Sequence, residues 1–339
     1  MTLPTRTIGP FTVSAIGLGC MNLSHAYGVP PTAEDGARLL NQALDLGYTL
    51  LDTAALYGGG ENERLIGRAV MHRRREFTLS SKCVLDMIDG KRSLDGSPAA
   101  IARTLDGALE RLGTDHIDLY YMHRLDRRVP IEESIGALVR AKDAGKIGAI
   151  GLSEMSAATI RRAHAVHPIA AVQSEYSPAV RNPEVAVLDA CAELGIALVA
   201  FSPVARGLLA GAIHDDTYAA GDIRRPMPRF VEPLLSENLK LVAAFDALAA
   251  QAGLTPAQLA LGWVLAQRPF IIPIPGTTDA PHLAENLAAA SRPLAADLVD
   301  AIDQLFPPGA LKGPRYTAAM QAQIDTELLP DEEIAAPAA

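Results

Sequence analysis

Short apolar runs alternate with longer stretches of helical periodicity along most of the chain. The runs fall at Ala15–Leu18, Thr49–Asp52, Phe77–Ser81, Ile117–Tyr121, Ile147–Leu152, Ala170–Ser174, Ile196–Phe201 and Phe270–Ile274. Several are continuously apolar, as strands covered on both faces are. Ahead of them, TRTIGPFTV at residues 5–13 predicts a small hairpin turning at Gly9-Pro10. Between the runs, Thr32 with Asp35 opens a helix whose apolar face is Leu39, Leu40, Ala43 and Leu44. Ser97 before Pro98 opens another, with Leu105, Leu109 and Leu112 inward and Gly113 at its end. A third covers Ile131–Lys142, and Thr255-Pro256-Ala257-Gln258 is a capping box with Pro at the first helical position.

Strand and helix in alternation predict an α/β fold with a parallel sheet. Eight strands favour a (β/α)8 TIM barrel with an N-terminal β-hairpin and long loops on its C-terminal face. An open doubly wound sheet is the competing architecture. Three stretches interrupt the alternation: the Gly/Asp-rich 86–97, the Pro- and Arg-containing 203–235, and the segment from Phe306 onward. Long loops in a compact fold are often lids or binding loops. The reading assigns 1–325 to one barrel domain and 326–339 to a flexible acidic, Ala-rich tail.

Composition narrows the function classes. The chain has 339 residues, 49% of them hydrophobic, which is enough for a large core. Its formal charge is −9 without a Lys/Arg cluster, which argues against nucleic-acid binding. No apolar run reaches the ~20 residues of a membrane span, and MTLPTRTIGPF lacks the pattern of a signal peptide. Cys20, Cys83 and Cys191 are too few and too scattered for a disulfide framework or a metal site. A cytoplasmic protein without metal, acting on a small molecule, is the expectation; oligomeric state stays open.

Barrel chemistry belongs at the C-terminal ends of the strands. Asp52 ends the second run, with Tyr57 in the loop beyond it. Lys82 follows the third run and His123 the fourth. Taken singly, each has a plainer role as a turn cap, a loop residue, a solvated lysine or a rim histidine. Together they place four ionisable groups on one rim. A phenol is a weak acid near pKa 10, and an ammonium beside it is expected to lower that value. Asp52 would hold Lys82 charged, and His123 would bond a carbonyl oxygen or Tyr57. The set suits protonation of an alkoxide during carbonyl reduction.

The segment DTAALYGGGENERLIG, Asp52–Gly67, resembles the signature of the aldo-keto reductase superfamily. SSKCV around Lys82, DLYYMHR, GLSE, QSEYSP, FSPVARGLLAG and IPGTT follow in order, and the resemblance covers about residues 5–305. It implies a barrel that binds NADP(H) across its rim, with Tyr57 as acid/base and Asp52, Lys82 and His123 in support. It also implies that Met21 approaches the cofactor and that Ser153 and Gln173 bond the nicotinamide carboxamide. Phe201 would stack on the ring, or simply fill the barrel. Glu154 stands where many members have Asn. GLGCMN at 17–22 lacks the third glycine of a dinucleotide fingerprint, so Gly19 is read as allowing a tight turn and close approach of the cofactor.

Barrel phosphate sites use the loops after the last two strands. Here these hold Ser202, Pro203, Gly207 and Leu208, then Gly276, Thr277 and Thr278, with backbone amides after Leu208 for the pyrophosphate and the Thr pair capping the next helix. Glu285 and Asn286 match family residues near the adenine. Many members carry basic residues for the 2′-phosphate where this chain has Asp279 and His282. NADP(H) is therefore expected first and NAD(H) second, unless Arg206, Arg224 or Arg225 reaches the phosphate. The resemblance implies an oxidoreductase interconverting aldehydes or ketones and alcohols with broad specificity. The alternatives are an interaction protein similar to potassium-channel beta subunits, and a barrel enzyme forming a Schiff base at Lys82.

Overall fold

A computed structural model of the chain describes residues 3–88 and 91–336. An antiparallel hairpin, β1 (Thr5–Ile8) and β2 (Phe11–Ser14), precedes the barrel. The eight barrel strands are β3 (Leu18–Gly19), β4 (Leu50–Asp52), β5 (Thr78–Cys83), β8 (Ile117–Met122), β9 (Ile147–Ser153), β10 (Ala171–Glu175), β11 (Ala197–Phe201) and β12 (Ile271–Pro273). A second hairpin, β6 (Leu85–Ile88) with β7 (Lys91–Leu94), rises after β5. The barrel strands pair in parallel in the order β3-β4-β5-β8-β9-β10-β11-β12. The two ends of that order meet: the Gly17 N–H donates to Pro273 O at 3.0 Å and the Gly19 N–H to Pro275 O at 3.1 Å. These bonds close the (β/α)8 barrel.

The helices that cover it include α1 (Ala33–Leu46), α2 (Glu61–Val70), α3 (Pro98–Leu112), α4 (Ile131–Asp143), α5 (Ala157–Val166) and α6 (Val187–Leu194). After β11 come α7 (Leu234–Gln251), α8 (Pro256–Gln267), α9 (Ala280–Ala288), α10 (Ala296–Leu305) and the short α11 (Ala318–Gln321). Their starts follow the capping chemistry of the sequence. The hydroxyls of Thr32 and Ser97 accept from the Asp35 and Ala100 N–H groups, and the Thr255–Gln258 box is formed in both directions. Leu39, Leu40, Ala43 and Leu44 are buried as expected, and so are Leu105 and Leu112; Leu109 is only half-buried.

Alternation along the strands decides what points inward. Leu50, Leu119, Tyr121, Ala149, Ala171, Ala197, Val199 and Ile272 fill the interior, and Ile8 and Val13 of the N-terminal hairpin plug its lower end. Two residues further along the same strands, apolar becomes functional. Leu50 leads to Asp52, Tyr121 to His123, Ala171 to Gln173 and Val199 to Phe201. Gly151, between Ala149 and Ser153, leaves room for the Tyr121 ring; a Cβ there would lie 2.3 Å from it.

Four expectations need adjustment. The first barrel strand begins at Leu18 rather than Ala15, because the Ala15 N–H turns back to Pro4 O and the next residues link hairpin to barrel. The last is shorter than Phe270–Ile274. The 86–97 interruption is largely the β6–β7 hairpin; residues 89–90, between its strands, lie outside the described residues. The segment from 326 is anchored at its start, since Thr326 donates to Glu154 at 3.0 Å and Asn182 Nδ2 donates to Glu327 O at 3.1 Å and to Glu332 at 2.5 Å. Residues 337–339 lie outside the described residues.

Closure depends on two glycines in contact. A Cβ on Gly19 would meet Ile274 O at 2.8 Å, and one on Gly276 would meet Gly19 O at 2.8 Å. Backbone cannot yield there as a side-chain tip would. Gly19→Ala is expected to lower the unfolding free energy by ~1–3 kcal/mol, measured by urea denaturation without ligand. An unchanged midpoint would show that the closure tolerates a wider gap.

Candidate active site

Asp52, Lys82 and Tyr57 meet at the floor of a cleft on the C-terminal rim. Asp52 ends β4, Lys82 lies within β5, and Asp52 is paired in register with Ser80. All three side chains are buried, Lys82 completely. The Lys82 ammonium donates to Asp52 Oδ1 at 2.5 Å, to Thr53 O at 2.8 Å and to the Tyr57 hydroxyl at 3.2 Å. The other oxygen of Asp52 accepts from Ser80 Oγ at 2.7 Å and from Gln173 Nε2 at 2.9 Å. His123 follows β8, and its ring meets that of Tyr57 edge-on with centroids 5.9 Å apart.

Local sequence explains the placement of Tyr57. Gly58, Gly59 and Gly60 all have positive φ, so the chain turns sharply after the phenol and enters α2. Asn62, fully buried, accepts from Thr53 Oγ1 at 2.6 Å and donates to Cys20 O at 2.8 Å. Glu63 accepts from Ser81 Oγ at 2.5 Å and Arg111 Nε at 2.6 Å. The signature segment therefore ties the Tyr57 loop to β5 and to the loop after β3.

Burial and charge act against each other on these groups. For Tyr57, burial is the dominant influence and raises the phenol above its ordinary value, while Lys82 pulls it down. Lys82 lowers the phenol as expected, but burial outweighs it and the net direction is upward. For Lys82, burial disfavours the ammonium, but Asp52 and Tyr57 together outweigh burial and hold it above its ordinary value. His123 is held well below the usual imidazole range, first by burial and then by Arg124, Lys82 and Arg92. It is a neutral ring at neutral pH.

The cleft encloses about 310 Å³ and runs across the rim. Met21, Tyr57, His123, Ser153, Gln173 and Phe201 line it, together with Gly19. Ser202, Pro203, Gly207, Gly276, Thr277, His282, Glu285 and Asn286 line the same cleft. Two loops bridge over it: the Ile223 N–H donates to Ala26 O and the Gly28 N–H to Asp222 Oδ2, both at 2.9 Å. Residues suited to a dinucleotide are thus present in one continuous groove. Gly19 and Gly276 both line it, and Ser202, Ala205, Arg206 and Gly207 take left-handed conformations in which the Ala205 and Gly207 N–H groups donate to Ser202 O and Val204 O.

Several expected contacts lie outside the groove, and others line it but are already engaged. Leu208 is core, and the Leu209 N–H after it already donates to Val204 O. Thr278 is exposed outside the groove; Thr277 Oγ1 accepts from the Asp279 N–H instead of capping α9. Glu285 accepts from Thr255 Oγ1 at 2.6 Å, so it also fastens α9 to α8. Glu154 turns away into a buried cluster with Arg315 and Thr326. Arg206 is committed to Glu175 at 2.9 Å and to Tyr316, and Arg224 to Asp222 at 2.7 Å. Asp279 and His282, 3.9 Å apart, stand exposed at the far end. Arg92, Arg124 and Asn22 also line the cleft and were not singled out from sequence. Arg124 was in view within DLYYMHR, one position beyond the histidine.

The depressed His123 has a consequence for stability. An unfolded histidine takes up a proton near pH 6.5 and this folded one resists it, so its contribution is complete above about pH 6.5 and lost as pH falls. Urea titrations from pH 7.5 to 5 are expected to show a steeper loss for the native chain than for His123→Gln, by up to ~1.4 kcal/mol per pH unit. Parallel curves would mean that the ring protonates in place.

Among the described residues there is no cluster suited to a metal ion, and no helix is long and apolar enough to cross a membrane. Comparison with known proteins agrees with the geometry. The chain is 44% identical over 328 residues to the aldo-keto reductase yakc [NADP(+)] of Schizosaccharomyces pombe, covering 91% of this chain and 96% of that protein. It is 39% identical over 313 residues to the probable aldo-keto reductase 1 of Glycine max, covering 90% and 89%. The glycerol dehydrogenase of Gluconobacter oxydans superimposes with a TM-score of 0.82 at 26% identity, over 98% of this chain and 100% of that one. The sequence profile of the Aldo/keto reductase family matches residues 15–306, and the chain belongs to that family of oxidoreductases.

Proposed function

We propose that the protein interconverts aldehydes or ketones and alcohols with NADP(H), accepting a broad range of carbonyl compounds. One observation carries this reading: the Lys82 ammonium bridges Asp52 and the Tyr57 hydroxyl at the floor of the groove. When bound, the nicotinamide supplies hydride chemistry. The residues supply the rest. The raised phenol keeps Tyr57 protonated, so its hydroxyl holds the proton that a reduced carbonyl oxygen needs. Lys82, 3.2 Å away, stabilises the phenolate left behind, and Asp52 fixes the ammonium. Neutral His123 offers an N–H to the same oxygen. Ser153, Gln173, Met21 and Phe201 would hold the nicotinamide end, and Ser202, Pro203, Gly207, Gly276, Thr277, Glu285 and Asn286 the remainder.

No separate observation favours a purely regulatory role like that of channel beta subunits. A Schiff base at Lys82 needs a free amine, and Asp52 holds this one as ammonium.

The phosphate end supports NADP(H) through the resemblance and through the name of the S. pombe relative. Its local charge weakens the discrimination, because Asp279 and His282 stand in place of bases while Arg206 and Arg224 are neutralised. NADPH is expected to bind more tightly than NADH by only about tenfold, ~1.4 kcal/mol, by fluorescence titration. Tighter NADH binding would reverse the cofactor choice. Tyr57→Phe is expected to cut kcat by about 10²–10⁴-fold on an aldehyde panel while leaving the Kd for NADPH nearly unchanged. Turnover near that of the native chain would remove Tyr57 from proton transfer.

A further inference from the structure

The substrate end of the cleft carries an unbalanced positive charge. Asp52 and Lys82 cancel, and His123 is neutral. Three other arginines near the rim are matched by carboxylates: Arg206 by Glu175, Arg315 by Glu154 and Arg224 by Asp222. Arg124 and Arg92 also line the cleft, and among the described residues neither has a carboxylate within 4.0 Å. Arg124 is buried, with 9% of its surface exposed. Among the described residues it donates only to His123 O at 2.5 Å and Ser153 Oγ at 3.2 Å, and its buried Nε has no partner there. Arg92 projects from the exposed β6–β7 hairpin, and its one hydrogen bond among the described residues is a long one, 3.5 Å, to Gln323.

A guanidinium out of water and without a counter-ion is costly, and the cost is recovered when an anion pairs with it. Resting on the carbonyl-reductase reading, we infer that Arg124 and Arg92 form a subsite for the carboxylate of a substrate whose carbonyl faces Tyr57. The preferred substrates are then oxo-acids or aldehyde-acids. Leu56, Leu85 and Met320 line the same cleft, so an aryl or alkyl body between carbonyl and carboxylate fits it. The position of Arg124, next to His123 and bonded to Ser153, puts this charge at the nicotinamide end. The loops suited to phosphates lie further along the groove. That His123 feels Arg124 and Arg92 as well as Lys82 agrees with two cations close to the reacting centre that have no carboxylate partner among the described residues.

The test compares 4-carboxybenzaldehyde with its methyl ester, methyl 4-formylbenzoate, which differs at the carboxylate. Binding of each to the NADP⁺-loaded protein is measured by calorimetry, and kcat/KM of each with NADPH. The acid is expected to bind about tenfold more tightly, through charge-assisted hydrogen bonds that the ester cannot make. Added salt should narrow the gap. Arg92→Gln and Arg124→Gln should each weaken the acid severalfold or more and leave the ester nearly unchanged. Arg92→Gln lies on an exposed hairpin, so it stands if Arg124→Gln folds poorly. Equal or tighter binding of the ester, or an acid preference that survives Arg92→Gln and every folded Arg124→Gln sample, would overturn the subsite. If the acid binds as expected but neither aldehyde is reduced, the subsite stands and the carbonyl-reductase reading fails. If the ester is reduced and the acid is not preferred, the reverse holds.

Discussion

An ammonium and a carboxylate lie 2.5 Å apart beneath the cleft, shut off from water, and neither tolerates the loss of the other. A buried pair of this kind is seldom a source of net stability, because desolvation takes back most of the Coulomb gain. Its value here is directional. The carboxylate is pinned by Ser80 and Gln173 and the ammonium by Thr53 O, so one remaining direction of the ammonium points at the phenol. Strand register sets this arrangement, since Asp52 pairs with Ser80 and Lys82 with Tyr121. The polar floor is thus a continuation of the barrel packing and not an insertion into it.

The same logic governs the rim. Glu154 and Glu175, on neighbouring strand ends, would be stranded charges without Arg315, Arg206 and Tyr316. Those partners come from the long loop after β11 and from the segment beyond α10. Buried carboxylates therefore fasten the loops that shape the cleft, and they neutralise Arg206 and Arg315.

What was legible in the sequence follows from range. Helix starts could be read because cap and first turn are a few residues apart, as at Thr32 and Thr255. The four rim residues could be read because Asp52, Lys82 and His123 lie at or just beyond the ends of apolar runs and Tyr57 in the loop after one of them. The pairing of Glu154 with Arg315 spans 161 residues, and that of Glu175 with Tyr316 spans 141, so no local pattern announces them. Burial was the other hidden quantity. A sequence shows that a lysine can sit near a tyrosine, but not that desolvation outweighs it and drives the phenol upward. The β6–β7 hairpin escaped notice because its polar, Gly/Asp-rich composition reads as a loop.

The bonds from Gly17 and Gly19 to Pro273 and Pro275 join segments more than 250 residues apart. During synthesis, the strand that begins the barrel emerges long before the strand that completes it. Until then the growing sheet has two unsatisfied edges and the half-built cleft has no far wall. Edges of that kind pair readily with other chains, and contacts this distant form slowly. The interval before closure is therefore when the nascent protein is most exposed to aggregation and most in need of chaperones.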